Sequence, residues 1–508
     1  MSRIDNAARN IKYGYLGNVV TILLRFASRT VFIYTIGVTY LGVNGLYTSV
    51  LSVLSLAELG LGSAMNYSFY KPVAVNDKEK IKSLIFLYKR AYLLIILVIT
   101  ILGLLLVPFL PTIIKEPGSI TSNELIIYYL IFLFNTVSTY FVSYKYSLVN
   151  AEQRNYIQTN IHLIRTIITT VIQMIVLFLF HSFLLYLLVA AVVGLIEKIF
   201  ANRYINKLYP YLLEKNIKPL TKEETVEIKK NVKALIFHKI GEISVHQTDN
   251  ILISAFINIT TVGLVSNYTL IISSVTKFTV VIFNSTISGI GNLIATENKE
   301  KQFFLFKAYR LLGFWVYGFA TIAFLFLISP FIQLWIGPER VIADIVVWLI
   351  MIDYYVKGHR IVVNNFKIAA GIFDDDKYVA ISQAIVNLVV SITMVKIIGL
   401  PGIYIGTVVQ GLVSTFSRPI IIFNKVFKKS AKLYYKDSIV FILVLACPII
   451  ILSVIKSYIM ININIKSFII MMLFVALIPN VIFYCAFKNR AEFQYLKNIV
   501  VRKLRKKI

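Results

Sequence analysis

Charged residues are scarce in this sequence, and their scarcity excludes a water-soluble protein. They make up 15% of the 508 residues, whereas 58% are hydrophobic. Soluble globular domains carry roughly a quarter charged residues. Acidic residues are rarer still, since 24 Asp and Glu stand against 52 Lys and Arg. This balance is typical of the membrane class.

Cysteines and catalytic motifs are also scarce. The two cysteines, Cys447 and Cys485, lie in apolar runs without the spacing of metal ligands, so we expect neither a disulfide nor a metal site. No GxSxG, HExxH, Walker or GxGxxG motif occurs in a segment that would lie outside the membrane. The sequence therefore offers no catalytic site for an enzyme and no nucleotide site for an ATP-driven pump. The first residues show no short apolar region followed by a cleavage site, so the first apolar run is expected to stay in the protein. No cofactor is expected.

Long apolar runs recur from end to end of the chain. Each can cross a hydrocarbon core of about 30 Å at a rise of about 1.5 Å per residue. The sequence therefore predicts an all-α, polytopic membrane protein with about fourteen transmembrane helices. The predicted spans are 13–36, 43–66, 91–110, 125–149, 157–180, 182–204, 232–258, 262–292, 307–330, 343–370, 378–397, 400–424, 438–457 and 467–487.

Basic residues concentrate in the loops of one side. When loops are assigned alternately, that side holds almost all Lys and Arg, including Lys145, Lys198 and Arg310, and the other side holds Lys115, Arg340, Lys396, Lys456 and Lys466. Because cytoplasmic loops are rich in Lys and Arg, both termini and the loop 205–230 are predicted to be cytoplasmic. The turns near Pro117, Pro338 and Asn462 are predicted to face outward. The net charge of +28 is thus attributed to topology and to anionic lipids, and no nucleic acid is expected as a partner.

An internal repeat indicates duplication. A shift of 221 residues aligns GVNGLYT (42–48) with GLVSNYT (263–269), and VNDKEK (75–80) with TENKEK (296–301). This predicts two six-helix lobes related by a pseudo-two-fold axis along the membrane normal, with a cavity between them. The predicted divisions are an N-lobe (1–204), a linker (205–231), a C-lobe (232–424), two further helices (425–487) and a basic tail (488–508).

Several cations fall within the apolar runs: Arg25, Arg29, Arg165, Lys239, Lys277, Lys357 and Arg360. Each costs about 2.5–3.5 kcal/mol at the bilayer centre, so they are predicted to face protein or a watery cavity. Arg25 lies near the middle of its span, with no acidic residue three or four positions away on either side. The repeat aligns it with His246.

Acidic residues cluster in the seventh span. His238, Glu242, His246 and Asp249 share an arc of about 80° on a helix. We favour a cavity lining over a self-neutralising stripe packed against neighbouring helices. Glu58 lies in the second span. Asp353 precedes Lys357 by four residues, so that an intrahelical ion pair and a proton site both stay open.

The segment RTVFIYTIGVTYLGVNGLYTSVLSVLSLAELGLGSAMNYSFYKPVA (29–74) resembles the opening of bacterial polysaccharide-repeat-unit flippases, the Wzx type of the MOP exporter superfamily. TDNILISAFINITTVGLVSNYT (248–269) resembles the start of their second half. The resemblance covers about residues 1–425. It implies alternating-access movement of an undecaprenyl-pyrophosphate-linked oligosaccharide, for O-antigen or capsule, across the bacterial cytoplasmic membrane. It further implies coupling to H+ or Na+ and partnership with polysaccharide polymerase and glycosyltransferases.

Such a cargo is anionic, and guanidinium groups can bind phosphate oxygens bidentately. The predicted substrate contacts are Arg25, Arg29, Arg165, Lys277, His246, Lys357 and Arg360, and the predicted ion-coupling residues are Glu242, Asp249, Glu58, Asp353 and His238. Three alternatives stay open. A peptidoglycan lipid-precursor flippase would use similar chemistry. A multidrug cation exporter of the same superfamily would be expected to carry acidic residues, and not arginines, in its first span. A membrane polysaccharide polymerase or ligase typically carries a long outward loop, whereas the longest outward gap here is 111–124.

Overall fold

The protein is almost entirely helical. The structure is a computed structural model that describes residues 3–58, 61–214, 216–226, 228, 248–372 and 375–505. Those residues form helices and connecting turns, with no strand among them. Eleven of the described helices are long and apolar enough to cross a membrane. The predicted all-α, polytopic membrane fold is confirmed.

The helices are labelled in chain order, and short single turns between them are left unlabelled. They are α1 (Arg3–Ile36), α2 (Val38–Leu54), α3 (Leu61–Ala74), α4 (Lys78–Leu106), α5 (Leu110–Ile113), α6 (Ser122–Ala151), α7 (Asn155–Phe180), α8 (Phe183–Leu208), α9 (Thr248–Phe256), α10 (Ile259–Asn284), α11 (Ile287–Thr296), α12 (Lys299–Ile336), α13 (Asp344–His359), α14 (Ile361–Ala369), α15 (Lys377–Ile398), α16 (Leu400–Ile422), α17 (Lys432–Ile459), α18 (Ile465–Phe487) and α19 (Ala491–Arg505).

The chain forms two compact units. The first unit is Met1–Gly263 and the second is Leu264–Ile508. In the first unit, α9 packs against α2 and α5. In the second unit, α15 and α16 form a closely packed hairpin whose facing sides carry polar residues, with Gln383 donating to Gln410 at 2.8 Å and to Ser414 at 2.9 Å. The predicted divisions of the chain into lobes, linker and tail stay predictions.

The aligned loops of the repeat begin equivalent helices in the same way. Asp77 accepts a hydrogen bond from the backbone N–H of Lys80 at 2.9 Å and caps α4. Asn298, 221 residues later, accepts one from the N–H of Lys301 at 2.9 Å and caps α12. A side-chain oxygen at this position satisfies an N–H that has no partner within the helix. The repeat in sequence is therefore also a repeat in local structure.

Two predicted spans are broken at an ionisable residue, and a third, predicted at 262–292, is broken by a turn over Ser285 and Thr286 between α10 and α11, which corrects the expectation of continuous helices. The span predicted at 43–66 is α2, which ends at Leu54, then one 3-10 turn over Ser55–Glu58, then α3. The span predicted at 343–370 is α13 and α14, interrupted at Arg360. Both breaks carry an ionisable residue, and polar groups within a membrane favour irregular backbone where it is buried in protein or lines a cavity. Hydropathy alone does not detect such a break. The span predicted at 232–258 lies largely outside the described residues.

Lys145, Lys198 and Arg310, which were assigned to loops, are buried within helices instead. Lys145, Lys198 and Arg310 are 6%, 7% and 3% exposed and belong to α6, α8 and α12. Lys145 has local polar partners, because its Nζ donates to the side-chain oxygens of Asn202 and Asn206 on α8 at 2.5 Å each. A count by position along the chain cannot distinguish such a residue from a solvated loop cation, since the partners lie on another helix.

The segment after α8 packs on the start of α4. Lys82 of α4 forms ion pairs with Glu79 at 2.6 Å and with Glu214 at 2.7 Å. Glu224 pairs with Lys80, and hydrogen bonds from Lys80 and from the backbone of Thr221 hold the pKa of Glu224 below its usual value. These contacts tie the described part of the predicted linker to the end of α4 where the basic residues are concentrated.

Candidate functional site

Helix α1 has two faces of opposite character. Leu16, Leu23 and Tyr34 are exposed, with Leu23 65% exposed. At about 100° per residue these three share one side of the helix. Arg25 is also exposed but lies about 180° from them. An exposed apolar face suits lipid, so Arg25 is on the face of α1 directed away from lipid.

The cationic face of α1 is not neutralised at Arg25. Among the residues that the structure describes, no carboxylate pairs with Arg25, and its charge is repelled by that of Arg29. Arg29 is half-buried and interacts electrostatically with Tyr186 of α8. Tyr186 therefore lies near Arg29 on this face, while Arg25 is left available to an anion.

A second group of charges joins α6, α7 and α8. Glu197 Oε1 lies 3.2 Å from His162 Nδ1 and accepts a hydrogen bond from Tyr146 at 3.5 Å. The guanidinium of Arg165 and the ammonium of Lys198 meet beside Gly194, 3.4 and 3.3 Å from where a Cβ would lie. The buried carboxylate of Glu197 is thus a shared counter-ion for several basic groups. Arg165 was predicted as a site residue from the sequence, but its proximity to Glu197 was not, since the two lie on different helices.

Glu58 lies at the break after α2. Its Oε1 accepts a hydrogen bond from the hydroxyl of Tyr92 at 3.0 Å. Tyr92 stacks on Tyr140, with ring centroids 5.7 Å apart. A carboxylate enclosed by tyrosines in this way can bind a proton or a small cation, and its hydrogen bond to Tyr92 fixes its orientation.

In the second unit, the predicted residues Asp353, Lys357 and Arg360 come together around the break between α13 and α14. Asp353 Oδ2 forms an ion pair with Lys357 Nζ at 2.6 Å. Arg360 is 5% exposed and donates from Nε to the carbonyl oxygen of Val356 at 3.2 Å. Within the described part of the chain, Asp353 Oδ1 and Arg360 Nη1 are buried without a hydrogen-bond partner. Buried polar atoms of this kind usually bond to a ligand or to water.

An ion network that the sequence did not reveal joins the end of α14, the start of α15 and the end of α16. Asp376 receives two hydrogen bonds from Arg418, at 2.6 Å from Nε and 3.1 Å from Nη2, and also pairs with Lys367. Arg418 donates further to Asn364 at 3.2 Å. The available signal was the run of aspartates directly before Lys377, for which no partner was predicted. This bidentate pair fixes the three helix ends together.

The remaining predicted residues are separate from these groups or outside them. Lys277 is half-buried on α10, and Asp249 is half-buried on α9. His238, Lys239, Glu242 and His246 lie outside the described residues. The stripe predicted on the seventh span is therefore represented in the structure by Asp249.

The fold is that of MOP-superfamily transporters. No protein-family model and no curated protein matches the sequence. Among solved structures, the lipid II flippase MurJ in an inward closed conformation matches with a TM-score of 0.64 and 14% identity, over 95% of this chain and 99% of that one. An inward-facing multidrug resistance MATE family transporter of the MOP superfamily matches with a TM-score of 0.58 and 16% identity, over 81% and 96%. A MOP superfamily transporter from Pyrococcus furiosus matches with a TM-score of 0.52 and 14% identity, over 85% and 98%.

Proposed function

We propose that the protein is a flippase that moves undecaprenyl-pyrophosphate-linked oligosaccharide repeat units across the bacterial cytoplasmic membrane. The observation that supports this most is the position of Arg25. It is exposed on the side of α1 opposite the lipid-facing residues, and no described carboxylate neutralises it. An unpaired guanidinium in a membrane span is tolerable where water or an anion reaches it.

The chemistry of the cargo matches this cationic face. A pyrophosphate offers several anionic oxygens, and a guanidinium can donate to two of them at once. Arg25 and Arg29 on α1 would bind the pyrophosphate. Arg165 on α7, Lys277 on α10 and His246 in the predicted seventh span would be further contacts. In the second unit, the unsatisfied Nη1 of Arg360 and its neighbour Lys357 are also available to an anion.

Transport would proceed by alternating access and draw on an ion gradient. Glu242 and Asp249, with His238 close to them in sequence, are the proposed coupling residues, and Glu58 and Asp353 are further candidates. A carboxylate that gains a proton or Na+ loses its repulsion of the anionic cargo and its attraction to nearby cations. Either change can shift a two-state equilibrium between conformations.

A peptidoglycan lipid precursor is the main alternative cargo. The match to the MurJ structure spans 95% of this chain, whereas the match to the inward-facing MATE transporter spans 81%. Both cargoes are lipid-linked and anionic, so the cationic face of α1 does not distinguish them. A multidrug cation exporter, as in the MATE structures, is disfavoured since Arg25 would repel an organic cation.

The experiment is lipid flipping in proteoliposomes that contain the purified full-length chain. A fluorescent undecaprenyl-pyrophosphate-linked oligosaccharide is added during reconstitution, and its accessibility to an impermeant quencher is followed with time. We expect movement in protein-containing vesicles and not in protein-free vesicles. Faster movement of a peptidoglycan precursor would favour the alternative cargo. Uptake of an organic cation without any lipid movement would contradict the proposal.

A further inference from the structure

A basic cavity lies in the second unit, next to the break between α13 and α14, where Nη2 of its residue Arg310 lies 3.3 Å from Nε2 of His359. It has a volume of about 390 Å³ and lies between α12, α17 and the turn that leads from α18 to α19. Its charged lining consists of Lys307, Arg310, Lys436 and Arg490 against Asp437 and Glu492. Four cations and two carboxylates leave the cavity with an excess of positive charge.

Arg310 is held rigidly at the base of this cavity but is incompletely neutralised. Its guanidinium carbon lies 3.8 Å from the centroid of the Tyr434 ring, and Nη2 donates to the hydroxyl of Ser438 at 2.9 Å. Its ion-pair contact with a carboxylate, Asp437, is 3.9 Å long, beyond hydrogen-bond distance. In the described structure Nε is buried and has no hydrogen-bond partner. Stacking and neutral hydrogen bonds fix the side chain while leaving its charge available.

The other charges of the cavity do not remove the excess. Asp437 lies 3.7 Å from Arg490, so one carboxylate is shared by two guanidinium groups without a hydrogen bond to either. Glu492 is engaged by Lys307 at 2.5 Å. Lys436 is exposed at the rim. An anion entering here would meet Arg310, Arg490 and Lys436 together.

An apolar strip runs from the cavity along α17. Leu443, Ile450 and Val454 are exposed and follow Lys436 on the same side of the helix, at intervals of about one or two turns. A basic group at the end of an exposed apolar strip matches a lipid, whose head group is charged and whose chains are apolar. A soluble anion would make no use of the strip.

We propose that this cavity binds the phosphate of an anionic phospholipid, with the acyl chains along α17. Basic pockets between membrane helices bind anionic head groups, and the cluster of Lys and Arg around this one is typical of such sites. The inference does not depend on the proposed cargo, because none of the cavity residues belongs to the proposed transport site.

The test is native mass spectrometry of the full-length protein with phosphatidylglycerol or phosphatidylcholine. The double variant Lys436→Gln, Arg490→Gln removes two cations of the cavity. Its matched control, Lys432→Gln, Lys488→Gln, removes two exposed cations nearby that do not line the cavity. We expect phosphatidylglycerol to bind about 25-fold more weakly to the cavity variant, since each cation near a membrane surface contributes roughly fivefold. The control should bind it as the wild type does.

A second variant, Arg310→Lys, keeps the charge but lacks the planar guanidinium, so it should bind phosphatidylglycerol more weakly than the wild type. Thermal unfolding gives an independent readout, because phosphatidylglycerol should still raise the Tm of the control variant, whose cavity is intact. Equal retention of phosphatidylcholine, or equal losses in the cavity variant and the control, would overturn the proposal. Displacement of phosphatidylglycerol by an equimolar amount of inorganic phosphate would also overturn it, by showing that the site takes a free anion.

Discussion

The hydroxyl of Thr39 lies 3.0 Å from the hydroxyl of Thr260, and the two residues are 221 positions apart in the chain. This separation equals the period of the sequence repeat. Around the pair, a Cβ on Gly42 would lie 1.9 Å from the carbonyl oxygen of Ile259, and one on Gly263 would lie 2.2 Å from that of Val38. Equivalent residues therefore contact one another reciprocally where α2 meets the start of α10.

Alanine at either glycine should destabilise this crossing. Gly42→Ala and Gly263→Ala each place a methyl group against a backbone carbonyl, and overpacking of this kind costs about 1–3 kcal/mol. We expect a lower apparent Tm and a smaller monodisperse fraction for both. Gly289→Ala is the control, because its Cβ would meet nothing within 4 Å. Wild-type behaviour of both crossing variants would show that the helices do not approach so closely.

The sequence predicted what depends on composition and period. The apolar runs predicted the helices, and the repeat predicted that Asp77 and Asn298 occupy equivalent positions, which both use to cap a helix. The breaks at Glu58 and Arg360 were missed, because each lies within a run that is apolar on average. A hydropathy profile averages the side chains of about nineteen residues, whereas a break in a helix is determined by the few residues of a single turn.

The sequence predicted which charged residues lie within the membrane spans, but it did not predict most of the contacts between them. Asp353 and Lys357 pair within one helix, and their spacing had made an intrahelical ion pair one of the two interpretations left open. Glu197 meets His162, and Asp376 meets Arg418, only because separate helices pack together. Arg310 was assigned to a loop for the same reason, since its partners Tyr434 and Ser438 lie more than a hundred residues away.

Removal of the Glu197 carboxylate should destabilise the first unit. Glu197→Gln leaves His162, Arg165 and Lys198 near one another without their shared counter-ion, and because His162 is 45% exposed the cost should be below the about 3–5 kcal/mol of a fully buried pair. Thermal unfolding in detergent should show a clear fall in Tm. Ile196→Ala is the control, because Ile196 is exposed. An unchanged Tm for Glu197→Gln would mean that these cations do not need the carboxylate.

Cysteine labelling tests the predicted orientation. Lys222 is exposed in the segment that packs on α4, and Asn462 is exposed in the turn between α17 and α18. In a variant whose Cys447 and Cys485 are replaced by Ser, an impermeant maleimide should label Asn462→Cys in intact cells. The same maleimide should label Lys222→Cys only after the cells have been permeabilised. Labelling of Lys222→Cys in intact cells would reverse the assignment of sides.

Neutralisation of the acidic residues of the seventh span should uncouple transport from the ion gradient. In the double variant Glu242→Gln, Asp249→Asn, neither side chain can take up a proton, so the gradient should no longer alter the rate of flipping. The measurement compares flipping with and without an imposed H+ or Na+ gradient. Glu223→Gln, in the exposed linker, should respond to the gradient as the wild type does. Retained gradient dependence in the double variant would exclude these residues from coupling.

The most direct test of the proposed anion site is the rate of lipid-linked oligosaccharide flipping by Arg25→Ala. We expect normal expression and membrane insertion with a rate lowered roughly tenfold to a hundredfold, the loss typical of a hydrogen bond to a charged group. Arg25→Lys should recover part of the rate, because it keeps the charge without the planar fork. Leu23→Ala, on the opposite, lipid-facing side of α1, should flip at the wild-type rate. A wild-type rate for Arg25→Ala would contradict the account and leave Arg25 with a structural role.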